Sequence, residues 1–310
     1  MHVLAAHQFN PEQIGAIFEK ADEFHGQLQT AEGRRELASL HLGEQVCSTF
    51  YESSTRTKAS FELGALKMGM QVFETENAAE FSSISKGETI EDTIRVLGSY
   101  GVAAIILRTK KEGEAARAAS VSQVPIINAG DGKAEHPTQS LLDAYTIQKE
   151  IGRLDNLRVV MGGDLKHGRT VRSLSQLLAK YPQNHIAFVS HPEFRMGDDI
   201  KAILDEHDTT YDETSEMYDP LHDADVVYWT RSQTERHDDQ DSPADGEFVI
   251  DTVALEAMNK DAIIMHPLPR VGEITLAVDS DPRAKYFIQA ENGLYIRMAL
   301  LDQAVSVVRQ

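Results

Sequence analysis

The sequence predicts an α/β fold of two doubly wound domains, each with a parallel sheet flanked by helices. Three observations lead there. Short, wholly apolar runs alternate with longer stretches of helical periodicity, the pattern of βα units. Those runs are apolar throughout rather than at every second residue, which suits strands covered by helices on both faces. A break at residues 152–157 divides the units into two sets, and 310 residues are enough for two domains of ordinary size.

The elements follow in order. Residues 10–28 read as a helix, with Pro11 in its first turn and Ile14, Phe18 and Ala21 on one face. Residues 46–50 read as a buried strand running into Tyr51-Glu52-Ser53-Ser54-Thr55-Arg56-Thr57, after which Phe61, Ala65 and Met68 share a helical face. A second strand is expected at 70–73, then a polar loop over 74–88. A loop of that length without structure of its own is usually functional or mobile. Residues 89–100 return to helix through Ile90, Ile94 and Leu97. Strands at 104–107 and 124–127 end at Arg108 and at Asn128-Ala129-Gly130-Asp131-Gly132, and His136-Pro137-Thr138-Gln139 opens a further helix. The second set has strands at 158–161, 186–189, 225–229 and 262–265. The first of these runs into Gly162-Gly163-Asp164-Leu165-Lys166-His167-Gly168-Arg169-Thr170 and a helix. The last two end at Thr230-Arg231-Ser232-Gln233 and His266-Pro267-Leu268-Pro269-Arg270, and residues 293–308 form an apolar helix.

Position carries the functional reading. Arg56, Arg108, His136, Arg169, Arg231 and His266 each stand just past a predicted strand. Ligands of open α/β sheets bind beyond the carboxyl ends of the strands, so these groups are expected to converge on one cleft. The hydroxyls around Ser54 begin a helix, where backbone N–H groups and the positive end of the helix dipole favour an anion. Arg56 adds a two-pronged charge suited to phosphate. An ordinary helix cap with a spare arginine fits the same residues.

Composition narrows the classes. The net charge of −19 argues against nucleic acid and anionic membrane as partners. It also means that any anion site must concentrate its arginines locally. No apolar run approaches a membrane span, and the first residues lack a basic stretch followed by an apolar core, so a cytoplasmic protein is expected. The single cysteine, Cys47, lies in a predicted strand and is expected to be buried and inert, with no internal disulfide. The 12 histidines form no His-Glu-x-x-His pair or compact cluster, so no metal is expected. There is no Walker loop, Gly162-Gly163-Asp164 breaks the dinucleotide fingerprint, and Ser54 is not flanked as a nucleophile elbow. A site of hydroxyls, helix end and arginine suits a small phosphorylated substrate and calls for no cofactor.

Five segments carry a resemblance: Ser54–Thr57, His136–Gln139, Asp164–Val171, Thr230–Arg236 and His266–Arg270. Together, in order and spacing over nearly the whole chain, they resemble the carbamoyltransferase family, and within it the catalytic chains of the aspartate branch. The Ser-x-Arg-Thr signature marks the family generally. Arg231-Ser232-Gln233 and the segment His266–Arg270 point to the aspartate branch.

The resemblance implies a carbamoyl-phosphate domain of residues 1–135 plus 291–310 and an L-aspartate domain of residues 151–286, joined by 136–150 and 287–290. It implies a homotrimer with shared active sites, to which a neighbour donates the Ser82–Lys86 loop, and it leaves regulatory chains open. The implied reaction moves the carbamoyl group of carbamoyl phosphate to the α-amine of L-aspartate, giving N-carbamoyl-L-aspartate and phosphate on the way to pyrimidines. By the same resemblance Ser54, Thr55, Arg56, Thr57 and Arg108, with Ser82 and Lys86, hold the phosphate. Thr57, Arg108 and His136 serve the carbonyl oxygen, and Gln139 and the Pro267 carbonyl hold the carbamoyl NH2. Arg56, Thr57, Lys86, Arg108 and His136 make up the catalytic set. Arg169 and Arg231 each take a carboxylate of aspartate, with Lys86, Gln233 and the Leu268 backbone alongside. Glu52 pairs with Arg169 and Arg236 and helps to close the domains.

Plainer readings stand beside these: a solvated loop acid for Glu52, a structural histidine for His136, and surface salt bridges for the two arginines. Residues 237–247, acidic with Pro243 and Gly246, are expected to move on substrate binding. His167 stands where many members have tyrosine; that and the acidity of 237–247 bear on closure rather than on chemistry. The alternatives are a carbamoyltransferase for another amino acid such as ornithine, or an inactive scaffold homologue. Two arginines would repel the cationic side chain of ornithine, and the presence of Arg56, Lys86 and His136 speaks against a scaffold.

Overall fold

In the computed structural model, β1 (Gln45–Phe50) lies between β2 (Gln71–Thr75) and β3 (Ala104–Thr109), and β4 (Ile126–Asp131) follows β3. The structure describes residues 1–75, 87–132, 136–231 and 248–308. The first sheet therefore reads β2-β1-β3-β4, with every pairing parallel. The second reads β7-β6-β5-β8-β9 and is also parallel throughout. It comprises β5 (Arg158–Gly162), β6 (His185–Val189), β7 (Thr210–Thr214), β8 (Val226–Trp229) and β9 (Ile263–Met265). Two parallel sheets flanked by helices match the predicted class. The chain divides into two compact units, Met1–Thr138 with Asn292–Gln310, and Gln139–Glu291. Each sheet has one place where strand order reverses: between β1 and β3, and between β5 and β8.

The inner strands form because their apolar runs are buried on both faces. All six residues of β3 and of β4 are buried, and Trp229, Val160, Val227 and Ile264 share one core cluster in the second unit. The edge strand β7 was not anticipated. Its sequence, Thr210-Tyr211-Asp212-Glu213-Thr214, is half exposed and carries two acids, so it leaves no apolar run to read. The helix Glu114–Val121 escaped notice for a related reason: it buries only Ala115 and Ala118.

The last helix, Tyr286–Val308, begins seven residues before its predicted start at 293. Its later part packs on the helix Thr55–Lys67 within the first unit. A Cβ at Gly64 would stand 2.9 Å from Met298 Cγ, so the two helices approach closely there. Arg297 Nη1 donates to Ser60 Oγ at 2.8 Å, and its guanidinium lies 5.4 Å from the Phe61 ring centre. Cys47 is buried in β1, where desolvation pushes its thiol up to about 11, so it is inert as expected.

The Gly162-Gly163 pair has a steric cause. A Cβ on Gly162 would fall 2.2 Å from the Trp229 ring. Gly163 has φ +107°, and a Cβ there would lie 2.0 Å from the Thr230 carbonyl oxygen. The end of β5 can pass the end of β8 only with no side chains at these positions.

Gly163→Ala is therefore expected to lower stability by more than the ~1–3 kcal/mol of backbone strain alone. Gly26→Ala, in the last turn of the helix Pro11–Gln29 with nothing within 4 Å of the new Cβ, is expected to raise it by up to ~0.5–1 kcal/mol. Urea midpoints of the two variants check both signs.

Candidate active site

In the first unit the carboxyl ends of β1 and β3 flank the point where strand order reverses. Ser54 precedes the helix Thr55–Lys67 in an extended conformation, and its hydroxyl makes no capping bond. An ordinary cap would use that hydroxyl on an N–H group of the first turn. Thr57 is buried on this turn, whereas Thr55 and Arg56 are exposed. Arg108, the last residue but one of β3, is a buried guanidinium in fixed orientation. Its Nη1 donates to the Ala129 carbonyl at 3.0 Å, and its Nη2 donates to Glu52 Oε1 at 2.9 Å. The Tyr51 N–H donates to the Arg108 carbonyl at 2.9 Å, which ties the end of β1 to the end of β3. At the end of β4, Asp131 accepts from Thr109 Oγ1 (2.8 Å) and from the Gly113 N–H (3.0 Å), bracing the turn. His136 is buried, its Nδ1 3.4 Å from Thr138 Oγ1.

In the second unit the corresponding reversal lies between β5 and β8. After β5 the chain turns tightly: the Gly168 N–H donates to the Asp164 carbonyl at 3.1 Å. The Asp164 carboxylate accepts the His167 N–H at 3.0 Å and lies 3.1 Å from its ring Nδ1. This turn delivers Arg169, buried, as the first residue of the helix Arg169–Leu178. Arg231 follows β8 and is half-buried. Gln139 is buried and donates through Nε2 to Asp143 Oδ1 at 2.9 Å.

The loop after β9 is held from within. His266 Nδ1 accepts the Leu268 N–H at 2.8 Å, which leaves Nε2–H to donate to Glu273 Oε1 at 2.7 Å. Glu273 Oε2 accepts the N–H groups of Val271 (2.9 Å) and Gly272 (3.0 Å). Arg270 pairs with Asp279, donates from Nη1 to Tyr286 Oη at 3.0 Å, and its guanidinium lies 5.2 Å from the centre of the Tyr286 ring. The sequence reading grouped His266 with the converging ligands; here its imidazole clamps its own loop, which bears Pro267 and Leu268. Burial raises the Glu273 carboxyl, but the bonds from His266 and the backbone outweigh it and hold the group at about 2.

Thus each unit places an arginine pair or an arginine and helix start beside its own reversal point. Glu52 pairs with Arg108 within the first unit; Arg236, one of its two expected partners, lies outside the described residues. Ser82, Lys86, Gln233, Arg236 and the acidic segment 237–247 lie outside the described residues. Asp143, Tyr228, Gln289 and Glu273 were not singled out from sequence. The one local signal was for Asp143, which stands one helical turn after Gln139.

Two family models meet on this chain. That of the aspartate/ornithine carbamoyltransferase carbamoyl-P binding domain matches residues 1–149, and that of the Asp/Orn binding domain matches residues 155–304. The chain belongs to the aspartate/ornithine carbamoyltransferase family. It is 48% identical over 302 residues to the chloroplastic aspartate carbamoyltransferase 3 of Pisum sativum, covering 96% of this chain and 76% of that one. The catalytic subunit of M. jannaschii aspartate transcarbamoylase matches with a TM-score of 0.91 at 41% identity over 99% of both chains. The aspartate transcarbamoylase of Trypanosoma cruzi, solved in complex with carbamoyl phosphate and aspartate, matches at 0.91 and 34% identity over 98% of this chain and 96% of that one. The expectation of a cytoplasmic protein is corrected by the pea relative, a chloroplastic enzyme of this family. That no helix among the described residues is long and apolar enough to cross a membrane holds equally for an enzyme that works inside a plastid.

The Glu273 clamp sets a pH dependence. Its folded pKa of about 2 lies below the ordinary 4.5, so its contribution is present above that ordinary value and is lost as pH falls towards 2. Glu273→Gln is expected to lower stability at pH 7 by ~2–3 kcal/mol and to flatten the acid limb of the profile. Denaturant unfolding between pH 7 and pH 3 measures both.

Proposed function

We propose that this chain is the catalytic chain of an aspartate carbamoyltransferase, which joins carbamoyl phosphate and L-aspartate into N-carbamoyl-L-aspartate and phosphate for pyrimidine synthesis. The observation that carries the reading is the placement of cationic groups at the reversal point of each sheet, with Arg231 on a segment that marks the aspartate branch. Residues 1–135 with 291–310 take carbamoyl phosphate, residues 151–286 take L-aspartate, and 136–150 with 287–290 connect them.

The aspartate amine attacks the carbamoyl carbon, and the carbon–oxygen bond to phosphate breaks. Negative charge grows on the carbonyl oxygen, where Thr57, Arg108 and His136 stabilise it more in the transition state than in the ground state. Ser54, Thr55, Arg56, Thr57 and Arg108 hold the phosphate, joined by Ser82 and Lys86 from a neighbouring subunit of a homotrimer. Gln139 and the Pro267 carbonyl accept the two N–H bonds of the carbamoyl group. Arg169 and Arg231 bind the two carboxylates of aspartate, with Lys86, Gln233 and the Leu268 backbone orienting the rest. Glu52 and Arg236 serve closure. Holding both reactants in attack geometry supplies much of the rate, and the departing phosphate takes the amine proton. Ornithine would bring a cation to the same arginines, a repulsion that excludes it.

Purified protein is expected to turn over carbamoyl phosphate with aspartate and not with ornithine. Turnover with ornithine alone, or with neither, overturns the reading. Arg231→Leu is expected to raise the KM for aspartate by roughly 10–10²-fold, the equivalent of one charge-assisted bond, and to leave the KM for carbamoyl phosphate nearly unchanged. The trimer predicts a native mass of three 34.4 kDa chains by light scattering.

A further inference from the structure

We propose that Asp143 is a positioning residue that makes the carbamoyl site select an –NH2 group. The inference rests on the assignment of Gln139 and the Pro267 carbonyl to that group, and it concerns what aims them. Asp143 is fully buried on the helix Pro137–Ile151. Its Oδ1 accepts from Gln139 Nε2 at 2.9 Å and from Gln289 Nε2 at 2.7 Å, and its Oδ2 accepts from Tyr228 Oη at 2.8 Å. All four residues belong to the second unit.

A carboxylate accepts and does not donate. Each glutamine that turns its NH2 towards Asp143 must turn its carbonyl oxygen the other way. Flipping the Gln139 amide would set oxygen against the oxygen of a fully buried carboxylate, so the flip that is free in water is excluded here. Gln139 therefore presents Oε1 as an acceptor. The second glutamine passes the same constraint onwards: Gln289 Oε1 accepts the His266 N–H at 2.8 Å, at the start of the loop that carries Pro267. One buried carboxylate thus sets both acceptors assigned to the carbamoyl NH2. Tyr228 stays a donor to it, since burial and the charge of Asp143 push its phenol well above the ordinary range.

The consequence is a selectivity. Acetyl phosphate has the shape of carbamoyl phosphate but a methyl group in place of NH2, and it would leave both acceptors unpaired. The test uses the full chain with L-aspartate and compares the KM for carbamoyl phosphate with the inhibition constant of acetyl phosphate. Asp143→Asn is expected to raise the former by about tenfold or more and to move the latter by less than about twofold. Equal weakening of both, or no change in the first, overturns the proposal.

Because loss of a buried charge can unfold the chain, Gln139→Glu gives an independent reading. A glutamic acid there shares a proton with Asp143, and once protonated it donates to Asp143 and again presents an acceptor. Its kcat/KM is expected to rise as pH falls, along a titration the parent lacks; a variant without that limb also overturns the proposal. A parent protein inactive with carbamoyl phosphate and aspartate would refute the functional reading itself. An active parent with unaltered selectivity in the variants refutes only the role of Asp143.

Discussion

The proposed function asks for anions to be held at the carboxyl ends of two parallel sheets in a molecule of net charge −19. The far field of so acidic a chain repels both a phosphate and a dicarboxylate. At physiological salt that field is screened beyond ~8 Å, whereas contacts with partly buried guanidinium groups are not. The structure uses this difference. Arg108 and Arg169 are buried, where each charge acts in a lower effective dielectric than on the surface. Burial without partners would be prohibitive, and Arg108 shows the solution: one arm on a strand-end carbonyl, the other on Glu52. Its orientation is fixed by the fold before any ligand is considered.

What could be read from sequence follows from how local each feature is. Parallel strands demand unbroken apolar runs, so β1, β3, β4, β5, β6 and β8 are plain in the chain. An edge strand faces water and need not be apolar, which is why β7 was invisible. Arg56, Arg108, Arg169 and Arg231 are legible because each is one residue type at one strand end. The Asp143 hub is not: Tyr228 and Gln289 reach it across 85 and 146 positions of sequence. Nothing in the periodicity of a helix tells which distant donors its buried acid will collect. His266 illustrates the opposite error. A histidine past a strand looks like a ligand, but whether its ring faces outwards or back onto its own loop depends on Glu273, seven positions on.

Compartment belongs to neither category. The physics of folding and catalysis is the same in cytosol and plastid, so a sequence without an apolar run of membrane-spanning length leaves the address open.

The loop after β9 shows why a site that uses backbone groups needs more internal bonding than one that uses side chains. An arginine can be re-aimed by a rotamer change, but a carbonyl or N–H points where φ and ψ send it. Leu268 sits at φ +54°, a left-handed conformation that costs a branched residue ~1–3 kcal/mol. Such a conformation persists only when its surroundings over-determine it. Here the His266 ring takes the Leu268 N–H, Glu273 takes the next free N–H groups and the other ring nitrogen, and Arg270 is pinned by Asp279 and Tyr286. Gln289 then ties the start of the loop to Asp143. Removing any one restraint lets the strain relax by turning the peptide, which moves the carbonyl of Pro267 and the backbone of Leu268 together. The density of polar bonds in this short loop is therefore what the proposed use of its main-chain atoms as ligands requires, and the imidazole that was grouped with the converging residues holds the loop.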